Sequence, residues 1–295
     1  MSRINPNAVL KDVMSSIESK LNDIGLMYRI FGRVKDPQSL DKKLSSDKEY
    51  GVSKKIQDLI GIRVVSYFND DIPIVREITS SIFNEKIENL SIDLPNKESF
   101  KATRYNIIYS LNDSLTETLN LGDEKTHIDN TFELQIRTIF SEGWHEVEHD
   151  LRYKCLNDWD GFDPYYRLLN GIYASLENNE WAMIKIFDDL AYGHYKSNNL
   201  SKMLRQKFRL RFVSDTLSQN FLDILQDQEL AKKFFRVERR KILIEMNRRG
   251  YFYPLTLDNI LLFSNMLEIR DERIMLETPK MMIEDFGTDN DYALT

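Results

Sequence analysis

Residues 131–154, TFELQIRTIFSEGWHEVEHDLRYK, change their hydrophobic period once, and this change constrains the fold more than any other feature of the chain. In the first half alternate residues are apolar, which predicts a strand with one face in a core. The other face of that strand carries Glu133, Gln135 and Arg137. From Trp144 onward the apolar residues have helical spacing. A polar strand face that leads into a polar helix face predicts a single cleft lined by both.

The other hydrophobic patterns predict a mixed sheet with helices packed on it, which is an α/β (α+β) fold. The predicted helices cover 8–24, 39–49 and 71–84, the strands cover 26–35, 60–68, 87–92 and 104–111, and a loop covers 112–130. Strand patterns nearly vanish after residue 163. There we expect two helices over 165–192, two or three over 200–250 and one over 256–275.

Composition excludes several classes of protein. The 295 residues carry a net charge of −7, which argues against a chain that coats nucleic acid along its whole length. The single cysteine, Cys155, excludes an internal disulfide framework. The N-terminus lacks the apolar segment of a signal peptide, and no apolar run approaches membrane length. We therefore expect a cytoplasmic protein with no membrane partner.

Basic residues are concentrated in one stretch. Residues 201–250 contain 13 Lys and Arg against 6 Asp and Glu. A solvated helix face explains such a run, and so does a surface that contacts phosphates.

Residues 145–149 match H-E-x-x-H, the helical motif of zinc peptidases. The spacing places His145 and His149 on one helix face, as a zinc site requires. A third ligand is needed, and the only other histidines are His127 and His194. A zinc metallopeptidase is therefore one alternative function.

A second pattern covers the same segment and extends beyond it. The block E-x-Q-x-R-T, then Trp, Glu-His and Tyr-Lys, is met by Glu133, Gln135, Arg137, Thr138, Trp144, Glu148, His149, Tyr153 and Lys154. Upstream, R-x-K-x3-S-x3-K-L is met by Arg33, Lys35, Ser39, Lys43 and Leu44, and D-[LI]-x-G-[IV]-R by Asp58, Leu59, Gly61, Ile62 and Arg63. In this order and spacing the blocks resemble the RelA/SpoT-type alarmone synthetase family, across roughly residues 20–190.

The resemblance implies a nucleotidyltransferase-like fold and an ATP-dependent nucleotide 3′-pyrophosphokinase. Its donor site would bind ATP through Arg33, Lys35, Ser39, Lys43 and Arg63. Asp58 and Glu133 would be catalytic and would hold Mg²⁺, with Glu133 activating the attacking 3′-hydroxyl. The residue types suit this chemistry, because cations hold phosphates, guanidinium planes stack on bases, and one or two carboxylates suffice for Mg²⁺ when phosphates complete its shell.

The acceptor block departs from the family pattern P-K-x-x-G-Y-R-[SA]-x-H. Lys101 and Tyr105 are kept, whereas Arg104, Asn106 and Tyr109 replace the family's Gly, Arg and His. We expect an acceptor site formed by Lys101, Arg104, Tyr105, Gln135, Arg137 and His149. Two acceptors stay open: GDP or GTP, giving (p)ppGpp, and the 3′ end of tRNA, the substrate of a toxic branch of the family that blocks translation.

The expected organisation is a synthetase domain over 1–195, a helical accessory or regulatory region over 196–283 and an acidic, disordered tail over 284–295. The helical region could bind an antitoxin or an effector, or form a homo-oligomer, and the sequence does not choose among them. A non-catalytic regulator is a further alternative, which the retained Asp58 and Glu133 oppose.

Overall fold

The computed structural model describes residues 4–87, 91–92, 105–214 and 216–287. Six strands form one mixed sheet in the order β1-β2-β6-β5-β3, with β4 also paired to β5. The strands are β1 Tyr28–Val34, β2 Ile60–Ser66, β3 Asn84–Glu85, β4 Ser91–Ile92, β5 Tyr105–Ser110 and β6 Thr131–Thr138. The predicted fold class, a mixed sheet flanked by helices and followed by a helical region, is confirmed.

Helices account for most of the remaining chain. They are α1 Pro6–Asp23, α2 Pro37–Ser46, α3 Ile72–Ser80, α4 Asp113–Leu119, α5 Ile139–Leu151, α6 Asp163–Lys196, α7 Leu200–Phe208, α8 Gln219–Ile224, α9 Gln228–Arg236, α10 Arg239–Arg248, α11 Leu257–Ser264, α12 Glu272–Leu276 and α13 Lys280–Phe286. Short 3₁₀ segments lie at Asn69–Asp71, Gly122–Thr126 and Tyr153–Trp159, and a π-helical turn at Asn265–Ile269. Within the described ranges no helix combines the length and the apolar character needed to cross a membrane.

The chain forms two compact units. The first comprises residues 1–19 and 28–180 and contains the whole sheet. The second comprises residues 20–27 and 181–295, and its core consists of buried helical residues such as Phe208, Phe234 and Phe263. The functional division into a synthetase domain ending at 195 and an accessory region after it stays a prediction. Residues 284–286 of the expected tail are helical, and 288–295 lie outside the described residues.

The register of the central strands separates a polar face from an apolar one. β2 and β6 are parallel, and Arg63 lies opposite Gln135. Because side chains alternate along a strand, Glu133, Gln135 and Arg137 share one face of the sheet. Leu134 and Ile136 lie on the other face and are fully buried. The strand and helix predicted over 131–154 are confirmed as β6 and α5.

Three predictions of secondary structure were wrong. The loop predicted over 112–130 contains α4, a helix of only seven residues that Asn112 caps by accepting a hydrogen bond from the Leu115 amide. Residues 163–196 form one helix instead of two, and Gly171 and Gly193 lie inside it, since glycine weakens a helix without breaking its hydrogen bonds. Residues 200–250 contain four helices, because short capped helices carry little periodic signal.

Gly25 ends α1 as predicted and provides a test of the second unit. Its φ of +66° is left-handed, and an added Cβ would meet Leu255 Cδ2. We expect Gly25→Ala to lower the free energy of unfolding by about 1–2 kcal/mol from the backbone conformation alone. The matched control is Gly171→Ala, where a Cβ meets open space inside a helix and should stabilise by about 0.5–1 kcal/mol. Urea unfolding of the three proteins measures both changes, and equal stabilities would contradict this account.

Candidate active site in the first unit

The polar face of the sheet and the following helix enclose a cleft of about 480 Å³. Its lining residues are Arg33, Arg63, Asn106, Gln135, Arg137, His145, Glu146, Glu148, His149, Asp150, Tyr153 and Lys154. They come from β1, β2, β5, β6, α5 and the 3₁₀ segment after α5. The convergence of a strand face and a helix face predicted from the 131–154 pattern is thus present.

A smaller pocket of about 210 Å³ lies beside the cleft, over β1 and β2. Arg33, Arg63, Gln135 and Glu146 line both spaces and therefore form the wall between them. Phe31, directly opposite Arg63 in the antiparallel β1–β2 pair, lines the smaller pocket and is 55% exposed. The small pocket thus combines two guanidinium groups with an exposed aromatic ring, a combination that suits a nucleobase.

Asp58 lies between two lysines just before β2. Lys35 Nζ donates to its Oδ2 at 2.7 Å and Lys43 Nζ donates to its Oδ1 at 2.8 Å. Burial would raise the pKa of Asp58, but the two lysines outweigh that effect, and the pKa lies below its usual value. Ser39 is exposed on the first turn of α2, where its amide donates to Asp36 Oδ1. The predicted donor residues Lys35, Lys43 and Asp58 therefore form one cluster.

Arg63 is fixed by three acceptors. Its Nε donates to Gln135 Oε1 at 3.1 Å, and its Nη1 donates to Glu142 Oε1 at 2.6 Å and to Glu146 Oε1 at 2.7 Å. Burial alone would lower the pKa of Arg63, but Glu142 and then Glu146 outweigh it, so the pKa is raised. The guanidinium is therefore held in a defined orientation at the wall between cleft and pocket.

Glu133 is half-buried, and its Oε2 accepts a hydrogen bond from Gln135 Nε2 at 2.9 Å. Glu133 on β6 lies opposite Gly61 on β2, and Gly61 follows Asp58 by three residues. Two carboxylates are a donor set that Mg²⁺ accepts when phosphate oxygens complete its shell. Glu133 and Asp58 fit such an ion on chemical grounds, although both Asp58 oxygens already accept from lysines.

Comparison with known proteins gives one family match, and it covers the cleft. The family model described as "Region found in RelA / SpoT proteins" matches residues 32–158, which contain all of the strands and helices that form the cleft except the start of β1. Residues 32–158 therefore carry a RelA/SpoT region, and the predicted resemblance to this family is confirmed over that stretch. A nucleotide pyrophosphokinase, the expected enzyme class, is the class that this family match supports.

Solved structures show a distant likeness. Small alarmone synthetase 1 from Bacillus subtilis is 22% identical, with a TM-score of 0.43, over 61% of this chain and 92% of that chain. A GTP pyrophosphokinase family protein from Streptococcus pneumoniae is 22% identical, with a TM-score of 0.42, over 62% of this chain and 89% of that chain. Small alarmone synthetase 1 from Bacillus subtilis bound to its product pppGpp is 19% identical, with a TM-score of 0.40, over 61% of this chain and 92% of that chain. No curated protein sequence matches the chain significantly.

Within this RelA/SpoT region the acceptor residues are not all brought together. Gln135, Arg137 and His149 line the cleft. Tyr105 lies opposite Ile136 and therefore faces the other side of the sheet from Gln135. The structure does not bring Tyr105 to the cleft, because the β5–β6 register directs Asn106 there instead.

Other residues of the acceptor block differ in placement. Lys101 and Arg104 lie outside the described residues. Tyr109, at the position of the family's His, is fully buried and shares a hydrogen bond of 3.0 Å with Ser80 Oγ. Burial raises the pKa of Tyr109 to about 12, so it stays protonated and belongs to the core of the first unit.

The two histidines of the H-E-x-x-H motif stack instead of converging. The rings of His145 and His149 have centroids 5.5 Å apart at 30°, and His149 stacks in turn on Tyr153 at 5.8 Å and 14°. A zinc ion needs ring nitrogens directed at one point, whereas stacked rings present their faces to each other. Among the described residues no group of three or more His, Cys, Asp and Glu side chains could hold a metal ion. The peptidase alternative therefore has no support from this geometry.

Sequence reasoning overlooked the acids of α5. Glu142 and Glu146 bind Arg63, and Glu148 lines the cleft while pairing with Arg152 at 2.6 Å. Glu146 and Glu142 precede His149 by three and seven residues, which was a usable signal, since residues at these spacings share a helix face.

The Asp58 cluster predicts a pH-dependent stability. A depressed carboxyl pKa contributes stability above the unfolded-state pKa, near 3.9, and that contribution is lost as the pH falls through the folded-state value. We expect Asp58→Asn to cost roughly 1.5–3 kcal/mol at pH 7, the range for hydrogen bonds to charged groups, and less at pH 3, below the unfolded-state pKa. Urea unfolding of both proteins at the two pH values measures this. A difference that does not change with pH would contradict it.

Proposed function

We propose that this protein transfers the β,γ-pyrophosphate of ATP to the 3′-hydroxyl of a nucleotide, with GDP or GTP as acceptor and (p)ppGpp as product. The observation that carries the proposal is the pair Arg33 and Arg63, which line both a nucleobase-sized pocket and the adjoining cleft within the family-matched region. In this reaction the acceptor oxygen bonds to the β-phosphorus of ATP. The bond between the β-phosphorus and the oxygen that bridges it to the α-phosphorus breaks, and AMP leaves with that oxygen.

The small pocket is the proposed site of the ATP base. Guanidinium faces of Arg33 and Arg63 would stack on adenine, with Phe31 at the open side. Lys35 and Lys43 would turn from Asp58 to the phosphates, a favourable exchange because the triphosphate carries more negative charge than one carboxylate. The exchange frees both Asp58 oxygens for a cation. Mg²⁺, held by Asp58 and Glu133, would neutralise charge on the transferred group.

Glu133 is the proposed general base. Its Oε2 is engaged by Gln135, which leaves Oε1 to accept the proton of the 3′-hydroxyl. Because the hydrogen bond from Gln135 fixes the carboxylate, the base is oriented before substrate binds. Positioning and charge neutralisation then supply most of the rate enhancement.

Removal of the proposed base is the first test of the mechanism. Glu133→Gln keeps the shape and loses the charge, and we expect the transfer rate to fall by about 10²-fold or more with little change in stability. Glu117→Gln, at an exposed carboxylate on α4, is the matched control and should keep full activity. Near-full activity of Glu133→Gln would remove Glu133 from the mechanism.

A tRNA 3′ end is the second candidate acceptor, and the exposed cations of the second unit favour it. Not every cation in the basic stretch 201–250 is exposed enough to contact a phosphate backbone. Arg239 is 7% exposed and donates to the Phe208 carbonyl, and Arg249 donates to the Phe286 carbonyl, so both have structural contacts. Lys233, Arg236 and Arg240 are exposed and suit contact with a phosphate backbone.

Label transfer distinguishes the acceptors. We would incubate the enzyme with γ-labelled ATP plus GDP, GTP or bulk tRNA at two salt concentrations, and compare wild type with the triple variant Lys233→Glu, Arg236→Glu, Arg240→Glu. We expect label in (p)ppGpp, unaffected by the triple variant. A tRNA product that the variant abolishes, with a steep dependence on salt, would establish the second candidate instead. Lys11→Glu with Lys125→Glu, at exposed lysines of the first unit, controls for charge reversal itself. No labelled product with any acceptor would overturn the pyrophosphokinase proposal.

A further inference from the structure

One buried carboxylate contacts two arginines that belong to different parts of the site. Glu142, on the first turn of α5, accepts a hydrogen bond from Arg63 Nη1 through Oε1 at 2.6 Å. Its Oε2 lies 3.4 Å from Arg137 Nε. The Glu142 side chain is 17% exposed and that of Arg137 is 3% exposed, so solvent screens this bridge weakly.

The two arginines line different spaces. Arg63 lines the small pocket and the cleft, whereas Arg137 lines the cleft and not the small pocket. Under the proposed function the small pocket binds the ATP base and the cleft receives the acceptor. We propose that Glu142 is a positioning residue that couples the donor subsite to the acceptor subsite, an inference that rests on the proposed function for the assignment of the two subsites.

The coupling follows from one carboxylate shared by two cations. The Arg137 contact is an ion pair that is too long for a normal hydrogen bond, and Glu142 Oε2 is buried with no hydrogen bond of its own among the described residues. A small shift of either arginine toward a substrate changes how strongly the carboxylate holds the other. ATP binding at Arg63 therefore alters the position and field of Arg137, and by linkage the acceptor alters ATP affinity by the same factor.

The neighbouring acid provides a matched comparison. Glu146 binds the same Arg63 nitrogen at 2.7 Å, one helical turn further along α5, and is 58% exposed. In the described contacts it pairs with Arg63 and not with Arg137. Glu146 lines both spaces, so its loss can affect either substrate directly, but without a contact to Arg137 it should leave the linkage between the substrates intact. Loss of Glu142 should remove that linkage.

Binding to the wild type is the first measurement, and it requires no variant. The Kd of α,β-methylene ATP, whose α–β bond cannot be cleaved, is determined by calorimetry without and with saturating acceptor, using whichever of GDP, GTP or tRNA takes the label. We expect each ligand to change the Kd of the other by the same factor, about 5-fold or more. Independent binding of the two ligands would overturn the inference.

The variants then locate the coupling. Glu142→Gln keeps an oxygen for Arg63 but can place an amide against Arg137. We expect the KM for acceptor and the KM for ATP to rise about 5- to 20-fold and the binding linkage to disappear. Glu146→Gln should keep the linkage, whatever its effect on either KM. Loss of the linkage in both variants, or a Glu142→Gln effect on one substrate only, would overturn the inference. Failure of wild type to bind α,β-methylene ATP at all would instead overturn the proposed function, and this inference with it.

Discussion

The parallel pairing of β2 with β6 is the constraint on which the site depends. Its register sets Gly61 opposite Glu133 and Arg63 opposite Gln135, so that a donor cation and the proposed base lie on one face of the sheet. A shift of one residue would turn every one of these side chains into the core and bring Leu134 to the surface. Burial of the apolar face therefore holds the polar face in place, and the cleft is a consequence of core packing.

Charge balance explains why Asp58 pairs with both Lys35 and Lys43. Asp58 is largely buried, and a buried carboxylate without partners is costly, so Lys35 and Lys43 stabilise it when no phosphate is present. The same pairs keep the two lysines from repelling each other near β1. Under the proposed function a nucleotide would exchange one set of ion pairs for another here, so the fold would not have to tolerate unpaired charge in either state.

The sequence predicted the sheet and the β6–α5 unit, because hydrophobic periodicity indicates both. It also predicted the RelA/SpoT match, because closely spaced motifs indicate it. It did not predict the side of the sheet on which Tyr105 lies, since that depends on the β5–β6 register, which residue spacing alone does not determine. Nor did it separate the exposed Arg236 from the buried Arg239, because a local charge count contains no information on burial. The short helix α4 was missed because seven residues give too little periodicity.

When charge is summed over the whole cleft, the acids of α5 oppose the binding of a polyanion. The geometry of the individual groups removes this conflict. Arginine differs from lysine in that its planar group has donors in the plane and stacking faces above and below it. Glu142 and Glu146 bind Arg63 in that plane and leave its faces available to a base. Under the proposed function the phosphates would be bound by Lys35 and Lys43, which are flexible point charges. The different geometry of guanidinium and ammonium groups would then allow carboxylates and an anionic substrate to occupy neighbouring positions.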